Sequence, residues 1–306
     1  MKAIICTKYG PPEVLKMRDV PKPVPKGNEI LVKIISTSVN SGDVRVRNLA
    51  VEGFIKVVMR LVLGFFKPRK PILGTVYAGI IEGVGTNVSK FKTGDKVFGM
   101  TGFKFGTYSE YITVKENGNI TSIPEKASFD EAVSIIFGGQ TATYFLAKAK
   151  IGQKSNPKVL IIGATGSVGL SAIQIAQYYG ADITAVCSSE GKQLVETLGI
   201  SKIILYDKED FTNKTENFDI IFDAVGKTTR KQCEKLLVKG GVFETVGGLE
   251  YAPESQEQLE FIKELYEKGK LKAVIDKVYP LNKVVDAHRY VDTGRKKGNV
   301  ILKVSQ

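Results

Sequence analysis

The feature that most constrains this chain is the stretch "VLIIGATGSVGLSAIQIAQYYGADITAVC", Val159 to Cys187. An apolar run meets a glycine-spaced turn, and a helical pattern follows with Val168, Ala172, Ile175 and Tyr179 on one face and Gly180 as its stop. A second apolar run comes next. Further runs, "KIILY", "FDIIFDAV" and "GGVFETVG", carry few polar breaks. Strands read this way when helices cover both faces of their sheet, so residues 122–274 are expected to form a doubly wound parallel sheet.

The turn from Gly163 to Gly169 follows the logic of a dinucleotide fingerprint. Gly166 lets the backbone approach a pyrophosphate, and Gly169 lets the helix pack closely on its strand. Ser167 and Val168 open that helix, whose free N–H groups and positive dipole end suit phosphates. Ala164 stands where the fingerprint has its first glycine. A tight turn without a ligand has the same glycines, but the strand–helix array around this one is the context a nucleotide site needs. An NAD site asks for a carboxylate at the end of the second strand, roughly 20 residues beyond the glycines. Here that strand ends near Cys187 and is followed by Ser188 and Ser189, with Lys192 close by and Glu190 the contrary charge. Two hydroxyls and an ammonium suit a 2′-phosphate, so NADPH is the expected cofactor.

Residues 1–121 read differently. "EILVKIISTSV", "YAGIIEGVG" and "GDKVFGM" are β-branched runs between turn formers, and Pro21, Pro23 and Pro25 suit an extended connection. The tail from residue 275 contains one helix and a last strand. A length of 306 residues allows two domains, and 43% hydrophobic with 25% charged residues is ordinary for a globular chain. The formal charge of +12 is scattered singly, which gives no strong nucleic-acid signal and suits attraction of an anionic small molecule. Cys6, Cys187 and Cys233 have no metal-type spacing. No leader is read at the N-terminus, and "FIKVVMRLVLGFF" falls short of the roughly 20 apolar residues of a membrane span. The chain reads as cytoplasmic. The segment Phe54–Lys70 reads as a helix packed on the β domain or, alternatively, as a basic amphipathic element touching a membrane or an apolar substrate.

Stretches spanning almost the whole chain, "YGPPEVLKMRDVPKPVPKGNEILVKI", "SVNSGD", "GTVYAGIIEGVGTNVSKFKTGDKVFG", "GTYSEYITV", "GGQTATYFL" and "GATGSVG", resemble the medium-chain dehydrogenase/reductase superfamily. The resemblance implies an α/β architecture: a chaperonin-10-like catalytic domain of residues 1–121 and 275–306 and a Rossmann NADPH-binding domain of residues 122–274. The zinc-ligand places of that superfamily fall at Asn40, Thr75 and Phe137, and none is a thiolate or imidazole. The implied branch is therefore the zinc-independent one, whose members resemble quinone oxidoreductases and enone or alkenal reductases, with a small-molecule quinone or enone as substrate.

The same resemblance suggests residue roles. Asn40 matches an asparagine beside nicotinamide and substrate, where an amide donates to a developing oxyanion; as a residue type it equally suits a turn that satisfies its own backbone. Thr141 matches a threonine near the nicotinamide, and Tyr206 a tyrosine near the adenosine 2′-phosphate. Gly247 and Gly248 border the nicotinamide, with Gly226 and Asn299 as further cofactor candidates. Tyr77 and Tyr108 are candidate proton donors or cleft walls, although a strand tyrosine is commonly core. His288 is expected at a surface or helix end. The family's acidic residue two places after the glycine of "GTVYAG" is replaced by Val76. Only six residues, Leu249–Glu254, separate Gly248 from the next helix, so the sheet is expected to stop one strand short, leaving a homodimer possible but unspecified. The alternatives are an enoyl-thioester reductase, which needs a placed acid, or a non-catalytic NADPH-sensing or RNA-binding protein of the same fold.

Overall fold

The computed structural model describes residues 1–49, 59–248 and 250–305. Two compact units emerge, one of Met1–Ile136 with Ile275–Gln306 and one of Phe137–Val274.

The second unit is built on five strands, Lys158–Ile162, Asp182–Cys187, Lys202–Leu205, Phe218–Asp223 and Leu237–Thr245, and every pairing among them is parallel. In space they run third, second, first, fourth, fifth. The order reverses between Lys158–Ile162 and Phe218–Asp223, and sheets of this kind bind ligands outside the carboxyl ends of their strands at such a reversal. Leu160, Ile162, Val186, Ile204, Phe218 and Ile221 form the core beneath one face. On the helix Phe129–Lys148, a Cβ at Gly138 would lie 2.3 Å from the Ser167 carbonyl, and one at Gly139 would lie 2.9 Å from Ile262. This glycine pair therefore lets its stretch of helix seat against two neighbours at once. Among the described residues the sheet ends at Leu237–Thr245, as the short connection after Gly248 suggested. Lys148 Nζ grips Glu244 at 3.0 Å and Glu250 at 2.5 Å beside that last strand, and charges of this kind discourage edge pairing.

The first unit centres on the strand Glu29–Val39. It pairs antiparallel with Val76–Val84 on one side. On the other side Tyr111–Lys115 covers its first half and Asn299–Lys303 its second. Ile275–Pro280 then adds parallel to Asn299–Lys303. This extra tail strand was not legible as an apolar run, because it lies at a sheet edge with no residue fully buried. The helix Val284–Asp292 buries Val284, Ala287, His288 and Val291. His288 thus belongs to the buried stripe, contrary to the surface position expected for it; its place three and four residues from Val291 and Val284 decides this. Of Phe54–Lys70, residues 54–58 lie outside the described residues, and 59–63 are helical. Among the described residues no helix is long and apolar enough to cross a membrane.

Candidate functional site

In the second unit the strand Lys158–Ile162 runs into Gly163, whose φ of +77° is left-handed. A Cβ there would lie 1.9 Å from the Val225 side chain. The tight turn thus falls one residue before Ala164, which needs no positive φ. The Gly163 and Ala164 N–H groups donate to the Val186 carbonyl, at 3.0 and 3.1 Å, and fix the turn to the second strand. Gly166 caps the helix Ser167–Tyr178 with no side-chain partner. A Cβ on Gly166 would meet nothing nearer than the Gly163 carbonyl at 3.7 Å, whereas one on Gly169 would lie 2.2 Å from that same oxygen. Gly169 serves the packing of helix on strand; the space at Gly166 is a cradle before a helix N-terminus, and it suits a pyrophosphate.

The other cofactor candidates gather at neighbouring strand ends. Gly191, in the turn Ser189–Gly191, approaches Thr165 so closely that a Cβ would lie 2.5 Å from its methyl group. Ser188 and Ser189 are half-buried, and Lys192 is exposed, 3.6 Å from Glu196 one helical turn on. Tyr206 donates its N–H to the Cys187 carbonyl at 3.0 Å and leaves its ring largely exposed. Gly226 and Gly247 meet backbone to backbone: a Cβ on Gly226, whose φ is +77°, would lie 2.4 Å from Gly247 Cα. Gly248 is exposed, and Thr141 is half-buried on the helix Phe129–Lys148. Asn299 lies in the other unit, opposite Ile275 at the start of its strand.

Two carboxylates here escaped the sequence reading. Asp207 Oδ1 accepts the Ser189 N–H at 2.9 Å, and hydrogen bonding from Ser189 holds its carboxyl below the usual range. An acid therefore does stand beside the end of the second strand, contributed by the end of the third. Its signal was its place directly after Tyr206. Asp223 is fully buried and accepts from the N–H groups of Val225, Gly226 and Thr228 and from the Thr228 and Thr245 hydroxyls, at 2.8–3.3 Å. It ties the loop carrying Gly226 to the last strand.

In the first unit Asn40 caps the helix Ser41–Asn48. Its Oδ1 accepts the Asp43 N–H at 3.1 Å, its own N–H donates to Asp43 Oδ2 at 3.0 Å, and its Nδ2 donates to the Thr75 hydroxyl at 2.8 Å. The backbone-satisfying role is thus present, and the amide keeps a second N–H beyond the one given to Thr75. Tyr77 is 1% exposed and stands in an apolar cluster with Ile34, Ile81 and Val97; burial raises its hydroxyl far above the ordinary range. Tyr108 is fully buried as well.

Around Tyr108 runs a buried polar chain. Arg47, itself fully buried, binds both Asp292 carboxylate oxygens at 2.7 and 3.0 Å and reaches His288 Nδ1 at 3.0 Å. Arginine only donates, so Nδ1 accepts and the ring proton sits on Nε2, which lies 3.2 Å from the Tyr108 hydroxyl. Burial, with the Arg47 charge second, lowers His288 to about 3. Burial first and then the Asp43 charge raise Tyr108. Asp43 is fully buried, burial pushes it up to about 7, and among the described residues no hydrogen bond of normal geometry reaches its Oδ1.

Thiol chemistry finds no support, because burial raises Cys6 and Cys187 to about 11. Zinc does not fit either. Among the described residues no group of three or more His, Cys, Asp or Glu side chains is placed to hold a metal, and the His288 ring is enclosed between Arg47 and Tyr108. The Asn40 side-chain oxygen, the atom it could offer a metal, already accepts the Asp43 N–H.

Residues 26–125 match the alcohol dehydrogenase GroES-like domain, and residues 248–302 match a zinc-binding dehydrogenase model. A 2-methylene-furan-3-one reductase of Solanum lycopersicum is 34% identical, covering 99% of this chain and 79% of its own. A human quinone oxidoreductase is 30% identical over 96% of this chain and 94% of its own. The chain belongs to the medium-chain dehydrogenase/reductase superfamily, in its quinone oxidoreductase-like branch. The quinone oxidoreductase of Coxiella burnetii superposes with a TM-score of 0.87 at 29% identity, covering 100% of this chain and 99% of its own. An NADPH-dependent alkenal/one oxidoreductase of Arabidopsis thaliana is 27% identical over 99% of this chain and 79% of its own. The GroES-like match falls wholly within the first unit, which carries Asn40 and the buried chain around Tyr108.

Proposed function

We propose that this protein is a zinc-independent reductase that uses NADPH to reduce a quinone or an activated C=C bond. The observation that carries the cofactor half is the open space at Gly166 before an uncapped helix N-terminus, flanked by Ser188, Ser189, Lys192 and Tyr206 at the adjoining strand ends. Gly166–Val168 would hold the pyrophosphate, and the Gly226–Gly247 crossing, held by Asp223, would border the nicotinamide with Gly248. Thr141 would make a supporting contact to the cofactor. The bound nicotinamide supplies hydride, and the chain supplies binding, orientation and a donor for the charge that develops. Asn40 is that donor: its carbonyl is locked by Asp43 and one N–H by Thr75, so the other N–H is aimed rather than free to turn. Lys192 favours the 2′-phosphate and Asp207 opposes it, so the preference for NADPH over NADH is modest.

The names of the relatives support the substrate class, since they reduce quinones, alkenals, enones and a methylene-furanone. Enoyl-thioester reduction asks for a placed acid, and both candidate tyrosines are enclosed. Fluorescence titration with NADPH and NADH, followed by cofactor oxidation with a panel of quinones and α,β-unsaturated ketones, tests the reading. Tighter NADPH binding and turnover above background with at least one class are expected. Tight NADPH binding with background turnover across the panel sinks the reductase, and equal affinity for both cofactors removes the role given to Lys192.

A further inference from the structure

In the first unit the short helix at residues 59–63 has two unlike faces. Met59 and Leu63 pack into the core that includes Val46, Leu73 and Tyr108. The turn after it is pinned: the Tyr9 hydroxyl donates to the Gly64 carbonyl at 2.8 Å, and the Arg69 N–H donates to the Leu63 carbonyl at 2.7 Å. From this fixed mount Leu61, Val62, Phe65 and Phe66 face water, exposed by 60, 61, 51 and 82%. Phe103 is also half-exposed, and its carbonyl accepts the Lys70 ammonium at 3.3 Å, which ties its loop to the basic end of this segment. A cluster of large apolar side chains held outward in this way marks an interaction surface.

Its charge selects the partner. No Asp or Glu occurs between Gly53 and Ile81, while Arg60, Lys67, Arg69 and Lys70 punctuate the apolar residues and Lys104 follows Phe103. Lys67, Arg69 and Lys70 are exposed. Protein–protein interfaces are depleted of lysine. Aromatic and aliphatic tips interleaved with Lys and Arg suit the boundary of a bilayer, where the tips enter the acyl region and the cations meet anionic headgroups. We propose that residues 59–70, with Phe103 and Lys104, dock this protein onto the surface of a bilayer carrying anionic lipids. The proposal rests on this surface alone and is independent of the reaction assigned above.

The test is co-sedimentation of the full chain with vesicles of phosphatidylcholine alone and of phosphatidylcholine mixed with phosphatidylserine. Binding is expected to the mixed vesicles and not to the neutral ones, weakening as salt rises. Each cation is worth about fivefold in partitioning, so K67A/R69A/K70A is expected to lower binding on the order of a hundredfold. F65S/F66S is expected to lower it by at least about tenfold. Both variants should retain the parent's unfolding midpoint and its NADPH binding, which reports the other unit. Absence of binding to mixed vesicles, equal binding to neutral ones, or binding by both folded variants at parental strength overturns the proposal. So does a parental dimer that F65S/F66S dissociates, since the surface then belongs to a second copy of the chain.

Discussion

Replacing Asp43 by Asn removes one of two buried titrating groups that stand on either side of the Tyr108 hydroxyl. Folding raises Asp43 from 3.8 to about 7, through burial above all. It lowers His288 from 6.5 to about 3, through burial and then the Arg47 charge. Between pH 3.8 and about 7 the folded chain keeps a proton on Asp43 that the unfolded chain has released, so this contribution to stability falls as pH rises. Between pH 3 and 6.5 the unfolded chain holds a proton on His288 that the folded chain refuses, so this contribution rises with pH. Each slope is about 1.4 kcal/mol per pH unit. They oppose one another over the window the two groups share. Tyr108, raised by burial, stays protonated throughout and adds no slope.

The Asp43→Asn variant should therefore gain on the parent steadily from pH 3.8, and above pH 7 it should exceed the parent by up to about 4 kcal/mol. His288→Gln should show the opposite difference, falling behind the parent as pH rises from about 3 to 6.5. Urea denaturation of parent and variants at fixed ionic strength, taken from below pH 3.8 to above pH 7, reads the differences. Curves that run parallel across that range would refute the reasoning, because neither group would then be titrating against its burial.

Lys192→Ala should weaken NADPH binding about tenfold and leave NADH unchanged, while Asp207→Ser should tighten NADPH a few-fold; calorimetric titration of both cofactors checks the pair. Gly226→Ala meets Gly247 Cα at 2.4 Å with a positive φ and should cost about 2 kcal/mol or more along with cofactor binding. Gly180→Ala, whose φ is +70° but whose surroundings are open, should cost only about 1 kcal/mol, and thermal midpoints separate the two. Asn40→Ala should lower kcat on the order of a hundredfold through the lost oxyanion donor, with about 1 kcal/mol of stability lost at the helix cap. An unchanged kcat would remove Asn40 from the chemistry and leave it a capping residue.

The second unit was legible because its determinants are local. Val159–Ile162, the glycines and the following helix lie within one short stretch, and their pattern names the element each belongs to. The first unit hid its polar interior because its partners are distant in the chain: Arg47 and His288 are 241 residues apart, and Tyr108 lies 180 from His288. No periodicity in either segment carries that pairing. Asp207 was not legible for a geometric reason: the acid of an NAD site is expected at the end of the second strand, whereas a parallel sheet sets the end of the third beside it. Asn40 was read as a donor or as a turn residue satisfying its own backbone, and the structure shows the backbone-satisfying bonds. Its partner Thr75 lies 35 residues on, just before the strand Val76–Val84, so that bond could not be read from the "VNSGD" motif.

The strand Asn299–Lys303 is not an ornament on the edge of its sheet; it lies between Ile275–Pro280 and the central Glu29–Val39. During synthesis the whole of Phe137–Val274 leaves the ribosome before it. The second unit can therefore complete its parallel sheet while half of the Glu29–Val39 backbone still lacks its neighbour. Until the last strand arrives, that row of open amides and carbonyls can be taken by another nascent chain. Yield in the cell should thus depend on chaperone protection of the first unit late in translation. A copy lacking Asn299–Lys303 should accumulate as aggregates even though its nucleotide unit is whole.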